Sequence, residues 1–563
     1  MLKEKMDASR LTEIRRNQTL FFNSQLNPSE LRRAVNNFDR LCVIEGGMPV
    51  IIHNTILSDP QALLSTLEST GNTNNTFHYS IDEAIYSTLG SFMSYNAGRS
   101  VGPTLCSRLY YLYLFSVTSA WAWTSGSTRV TGVKDGWDWS SVSRSTLASQ
   151  DDQFSWMIHV LVYIMPSFIP SYDSSDLLAN ERLARNWDEA TQTSETARIQ
   201  SEGNWNAWKA AWDTWWSSRA TDGYVAAQVA PADSDLPNGA TVLDVSQSQD
   251  FTNAVAYPNP SQWTPLKVGG VKKNWLTMNW ATVRSTGLSG SDDTAIQTAA
   301  GAAKLSGSAR TTELAALLTL VQALTDEQKI IAEFWAGGPN TVAPPGMFIW
   351  FWKEYVRGMN VAHTQGLETY FFSGLDLAIQ LFEGGRNTWA LKKTYKEARP
   401  IQEFRRSQAN ATLVNYDGTA IAGNLWVPYQ MANFVTPPFP DFPSGHSTFS
   451  QIFANVMGDW FGPAMPTLQV THTDLTLLCP ILAATFTEAY NEISVAAGSS
   501  EIQPGVVPAA GLTLQWSSWQ DMADQAGVSR QYGGIHAQSA HVGGQTVANE
   551  LKVRIRTAWG LSV

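Results

Sequence analysis

Along most of this chain apolar residues recur at the three-to-four spacing of an amphipathic helix, and sustained strand-like alternation is scarce. In the first half the spacing predicts helices over residues 80–98, 105–123, 153–164 and 204–219. A polar, turn-rich stretch from about Asp222 to Gly307 then breaks the pattern, with Pro231, Pro237, Pro258 and Pro260 inside it. It reads either as a long surface excursion or as a boundary between two helical regions, 1–310 and 311–563. From Thr311 the segment TTELAALLTLVQALTDEQKIIAEFW predicts one helix, with Thr311 or Thr312 as N-cap and a stop at Gly337-Gly338-Pro339. Further helices are expected over 347–359, over 371–398 with a kink at Gly384-Gly385 and closure at Pro400, from Ser444 to about Phe461, and from near His536 through Thr557. The fold class is all-α: a large helical protein built around four-helix-bundle cores, with no short-period repeat.

Composition narrows this. Of 563 residues, 44% are hydrophobic and 15% charged, which predicts a sizeable core rather than disorder. The 23 Trp fall largely on the helical stretches and read as core and interface packing. A net charge of −11 argues against nucleic-acid or acidic-membrane binding. Cys42, Cys106 and Cys479 lie far apart without a CxxC spacing, so neither a zinc site, a redox dithiol nor a disulfide framework is expected. The charged start MLKEKMDASRLTEIRRNQ has no apolar h-region, and no stretch offers about 20 clean apolar residues. The chain is therefore expected to be soluble and, by default, cytoplasmic.

The chemistry concentrates in the last third. Lys392 and Arg399 are seven apart, which on one helix places both on the same side, roughly 10 Å apart along the axis. Alone, that spacing equally fits a solvated basic face, since Lys393, Lys396, Arg405 and Arg406 are nearby. Pro443-Ser444-Gly445-His446 offers a helix N-terminus with a hydroxyl, free N–H groups and an imidazole, or simply a serine cap beside a surface histidine. In Ser529–His536 a glycine pair, Gly533-Gly534, allows the backbone reversal that would turn Arg530 and His536 to one place. His541 lies five further on without an assigned role, and His53, His78, His159, His363 and His472 show no ligand-like spacing. Together the three segments supply cations, a hydroxyl, an amide and two imidazoles, an inventory for a tetrahedral oxyanion.

In this order, K-x6-R-P, PSGH and S-R-x5-H resemble the three-part signature of the type 2 acid phosphatase superfamily, and within it the vanadium-dependent haloperoxidases. The likeness runs from about Trp335 to the C-terminus, and includes FWAGGPNTVAPPG at 334–346 and Trp389 three residues before Lys392. The resemblance implies one vanadate per chain in the C-terminal bundle. His536 would be its axial metal ligand, and Lys392, Arg399, Ser444, the Gly445 N–H and Arg530 would hold its oxygens. His446 would be the acid–base partner, and Lys392 would polarise hydrogen peroxide. It further implies oxidation of a halide to hypohalous acid, halogenation of a small organic acceptor, and a homodimer or larger assembly.

Three positions depart from the pattern or bear on specificity. Gly337 stands where some members have an aspartate that buttresses an arginine, and Glu383 stands in place of a common aspartate. Phe439 joins Trp389 as a candidate halide pocket, phenylalanine there being the residue of fungal chloroperoxidases where algal bromoperoxidases have histidine. The motifs equally suit a phosphatase with His536 as nucleophile, forming a phosphohistidine, and His446 as the acid. The long region ahead of the first motif favours the peroxidase, and the intact motifs speak against a scaffold that has lost its chemistry.

Overall fold

The computed structural model describes residues 80–140, 150–185, 187–201, 203–473, 475–483 and 485–561. Cys42, His53, His78 and the charged N-terminal segment lie outside the described residues. Helices dominate: α1 (Ile81–Gly98), α2 (Pro103–Ser125), α3 (Gln150–Phe168), α4 (Ser175–Arg185), α5 (Glu189–Ser201) and α6 (Gly203–Ala220) make up the first half. After them come α7 (Gly290–Gly301), α8 (Gly307–Val321), α9 (Asp326–Phe334), α10 (Ala343–Gly358), α11 (Leu367–Tyr395), α12 (Pro400–Ser407), α13 (Gly445–Phe461), α14 (Trp519–Tyr532) and α15 (Gln538–Trp559). The strands are short and local, such as the antiparallel pairs Gln469–Thr473 with Thr485–Ala489 and Glu492–Val495 with Leu512–Gln515, both between α13 and α14. The fold is mainly α, as the periodicity predicts.

Helices α11, α13, α14 and α15 pack on one another as a bundle, and α2 and α10 lie against α11. One apolar cluster runs from Ile81 through the bundle to Leu561. A smaller one, including Leu266, Ile401, Phe404 and Trp426, sits beneath the 222–307 stretch and joins it to α8 and α12. Tryptophan fills the first half as expected. On α6, Trp205, Trp208, Trp212 and Trp216 follow helical spacing, and their rings meet Trp156, Tyr163 and Phe168 of α3.

Several expected boundaries move, each for a local reason. The helix expected from Thr311 is two helices. The first starts after Ser306, and the second opens at Thr325, whose hydroxyl accepts from the Gln328 N–H while the Gln328 side chain returns to the Thr325 N–H. Helix α11 runs unbroken through Gly384-Gly385. A Cβ at Gly384 would come within 2.6 Å of the Ile452 side chain, so the glycine serves close approach of α13 rather than a kink. Helix α11 ends at Tyr395, where Lys396 turns left-handed at φ 49°, and Pro400 opens α12 instead of closing α11. Helix α7 lies inside the turn-rich stretch and packs on α15 and α11. No described helix is long and apolar enough to cross a membrane.

Candidate active site

The ends of α11, α13 and α14 deliver the three motifs to one place. Lys392, in the last turns of α11, is fully buried, and its ammonium donates to the carbonyls of Pro440 (2.8 Å), Asp441 (3.0 Å) and Pro443 (2.5 Å). The lysine is thereby bound to the loop that leads into PSGH. Arg399 is not on the same helix face as Lys392, contrary to the spacing argument, because α11 stops four residues earlier. It reaches the site as N-cap of α12, donating to the carbonyls of Phe439 (2.7 Å) and Ile535 (2.8 Å) and to Nε2 of His536 (2.9 Å). Its remaining nitrogen, Nη2, is buried and has no hydrogen-bond partner among the described residues.

Ser444 caps α13, its hydroxyl accepting from the Ser447 N–H at 3.3 Å, and Gly445 is the first helical residue. The start of α15 braces this turn from behind. The Ser444 N–H donates to the Ala540 carbonyl at 2.8 Å, and a Cβ at Gly544 would fall 2.5 Å from the Ser444 carbonyl oxygen. His541 finds a structural place in the same contact, its Nδ1 2.9 Å from the Ser447 hydroxyl. His446, partly buried, has Nε2 2.8 Å from the Trp335 carbonyl. Arg530 donates to the Ser529 hydroxyl at 3.0 Å and to the Ala332 carbonyl. Backbone and a serine hydroxyl thus support this arginine. Gly337 has φ 55°, and a Cβ there would meet Pro344 at 2.9 Å. Glu383 lies away from the cradle, joining Arg386 at 2.5 Å to the Ser285 hydroxyl.

Asp441 escaped the motif reading. Its Oδ1 accepts from Nδ1 of His536 at 2.5 Å, and its Oδ2 accepts from Arg310 at 2.8 Å. With Nδ1 protonated towards the carboxylate and Nε2 facing a guanidinium donor, the hydrogen-bond network assigns a lone pair to Nε2. The available signal was an acid set within the apolar, proline-rich run Phe439-Pro440-Asp441-Phe442-Pro443.

Electrostatically the site is short of negative charge. Burial, then the neighbouring Arg399, holds the Lys392 ammonium well below the ordinary lysine range. Burial lowers Arg399 to about 10, and burial followed by Arg399 lowers Arg530 to about 9. His446 and His536 are both held well below the ordinary imidazole value by desolvation first, then by Arg530 and Arg399 respectively. Trp389 and Phe439 form one wall, with ring centroids 4.8 Å apart and the Lys392 ammonium 5.1 Å from the Phe439 ring.

Among the described residues no group of three or more His, Cys, Asp or Glu gathers as a site for a bare cation. The donors present fit the opposite kind of ligand. Lys392, Arg399 and Arg530, an unpartnered guanidinium nitrogen and a helix N-terminus suit an oxyanion, and one imidazole lone pair suits its central atom. The other histidines stay apart: His159 is buried between the Ser155 carbonyl and Thr196, and His363 is exposed. Cys106 and Cys479 are buried free thiols, both pushed up to about 12 by burial.

Residues 373–555 match the family model of the VCPO second helical-bundle domain. No curated protein matches the chain in sequence. Among solved structures the fold is similar to that of a bacterial vanadium-dependent iodoperoxidase, at 15% identity and TM-score 0.52, over 84% of this chain and 95% of that one. It is also similar to a bacterial vanadium-dependent chloroperoxidase in its apo form (15% identity, TM-score 0.56, 82% and 96% covered) and its holo form (16%, 0.53, 83% and 96%). Lys392, Arg399, Ser444, Arg530 and His536 therefore all lie within the stretch that matches the VCPO second helical-bundle domain.

Proposed function

We propose that this protein is a vanadate-dependent haloperoxidase that uses hydrogen peroxide to oxidise a halide to hypohalous acid, which halogenates small organic acceptors. The observation that carries this reading is the coincidence of the buried cationic cradle with the stretch matching the VCPO second helical-bundle domain. Vanadate, one per chain, would supply a Lewis-acidic V(V) centre that activates peroxide. His536 would hold it through Nε2, and Lys392, Arg399, Arg530, the Ser444 hydroxyl and the Gly445 N–H would hold its oxygens. In this division residues 311–563 carry the chemistry and residues 1–310 flank it.

The chain's own groups have distinct tasks. The buried guanidinium groups and ammonium offset the anion's charge where no water can. His446, kept neutral by desolvation and by Arg530 with its Nε2 at the Trp335 carbonyl, would serve as the acid–base partner at the bound anion. Lys392, spanning the distance from the Phe439 ring to the PSGH loop, polarises peroxide at the wall where Trp389 and Phe439 exclude water and admit a polarisable halide.

Apoprotein loaded with orthovanadate is expected to brominate a phenolic dye in a peroxide-dependent manner, and His536→Ala to lose both vanadium and activity. Turnover of p-nitrophenyl phosphate by the apoprotein, with no bromination after vanadate is added, would instead assign the cradle to phosphate ester hydrolysis.

A further inference from the structure

His536 is held by more than its own loop. Asp441 accepts from its Nδ1 on one carboxylate oxygen and from Arg310 on the other, at 2.5 and 2.8 Å. A carboxylate gripped on both oxygens by donors from different elements cannot turn about its Cβ–Cγ bond, so the acceptor offered to Nδ1 is fixed. The same guanidinium donates to Glu313 at 2.9 Å, one turn further along α8. Glu313 in turn accepts from the backbone N–H of Ser539 and from its hydroxyl, the latter at 3.0 Å, three residues beyond His536. The side chains of Arg310 and Glu313 are 9% and 7% exposed, although the intervening Thr311 and Thr312 face solvent. Helix α8 therefore reaches the imidazole through Asp441 at its Nδ1 and through the backbone three residues beyond it, and it lies outside the 373–555 stretch.

We infer that Arg310 and Glu313 are positioning residues for the proposed chemistry, fixing the tautomer and placement of His536 through Asp441 and Ser539 so that its Nε2 lone pair stays turned to the anion site. This rests on the assignment of His536 as the metal ligand. Groups that orient an imidazole ligand through its second nitrogen commonly change metal affinity by about 10–100-fold when removed. An ion pair that only stabilises the fold would leave the affinity of the folded protein where it was.

The test uses full-length apoprotein labelled with 15N-histidine. Wild type is expected to show His536 protonated at Nδ1, identified by the signal missing from His536→Ala. Arg310→Met is expected to mix the two tautomers and to weaken orthovanadate binding, measured by equilibrium dialysis, by about 10–100-fold. Arg310→Lys, which keeps a cationic donor for Asp441, should return most of that affinity, and Glu313→Ala should weaken binding roughly tenfold. Far-UV circular dichroism establishes which variants fold. Unchanged orthovanadate affinity in folded Arg310→Met overturns the inference; should that variant not fold, unchanged affinity in Glu313→Ala overturns it. Stoichiometric vanadium in His536→Ala would remove the ligand assignment instead, and the tautomer in Arg310→Met or Glu313→Ala apoprotein would still decide whether α8 positions the ring.

Discussion

Among the protein's buried arginines, Arg219 and the pair Arg399 and Arg530 have opposite electrostatic outcomes. Between α2 and α6, Arg219 pairs with Asp135 and Asp222, and Arg108 shares Asp222 at 2.9 Å. Asp135 is further bonded by Tyr111 and Trp215. Although burial works against it, Arg219 is raised above its ordinary value, because Tyr111 and Asp135 more than offset that burial. In the cradle, Arg399 and Arg530 are as deeply buried, yet their acceptors are carbonyls, a hydroxyl and an imidazole nitrogen, and both fall, to about 10 and about 9. Carboxylates and Tyr111 hold Arg219 charged where it lies, although burial still lowers Arg108 beside Asp222, and this first cluster binds helices together. Charge in the second is left over, inside a chain whose net charge is −11. Burial against carbonyls alone does not mark an anion site, since Arg405 is lowered to about 10 in the same way; the unpartnered Nη2 of Arg399, on a guanidinium that meets His536, is what points to an anion.

The sharpest way to break the comparison is to delete one arginine from each cluster. Arg219→Met leaves Asp135 with Arg284, at 3.5 Å, as its remaining cation and is expected to cost about 3–5 kcal/mol in denaturant unfolding, with unchanged orthovanadate affinity in the folded protein. Arg399→Met is expected to cost much less stability, since relief of an unpaired buried cation offsets the carbonyls it abandons. Its orthovanadate affinity should nevertheless fall about 100-fold, on the scale of one strong charged hydrogen bond. Equal losses from both variants in both assays would erase the distinction.

A smaller effect sharpens it through pH. Burial lowers the values of Lys392, Arg399 and Arg530, and a bound anion must raise them again. Binding therefore takes up protons between the lowered and restored values, and affinity for orthovanadate or inorganic phosphate must weaken as pH rises through that window. Lys392→Arg, which resists deprotonation, is expected to flatten the alkaline limb of a plot of affinity against pH. A slope identical to wild type would show that Lys392 keeps its proton throughout. The smallest effect belongs to Ser444→Ala, which loses the α13 cap and one anion donor. It should cost about 1 kcal/mol of stability and less than about tenfold in affinity.

Legibility in the sequence followed the range of the interaction. The long helices announced themselves because their apolar residues repeat within a few positions. Helix α7 did not, because GSDDTAIQTAAG buries only Ile296 and Ala300, leaving the Ser289–Asp292 capping box as its one local mark. The three motifs were legible as an oxyanion inventory, and the structure brings Lys392, Arg399, Ser444, Gly445, Arg530 and His536 together. The route was misread for Arg399, which arrives from a second helix because Lys396 turns left-handed. Asp441 and Arg310 were not legible as site residues. Asp441 sits 95 residues from His536, and Arg310 a further 131 from Asp441, and a pairing over such separations leaves no periodicity to read.

The brace between α13 and α15 has a consequence for how such a protein can change over time. The PSGH turn and the His536 segment touch directly, through the Ser444 N–H on the Ala540 carbonyl and the absent side chain of Gly544. Their separation is thus set by a contact and not by the length of chain between them. The intervening stretch after α13 is tied down elsewhere, since its Trp516 packs on Trp335, whose carbonyl faces His446. Change that leaves the cradle undisturbed is therefore confined to the exposed positions of that stretch, while its buried contacts must be kept.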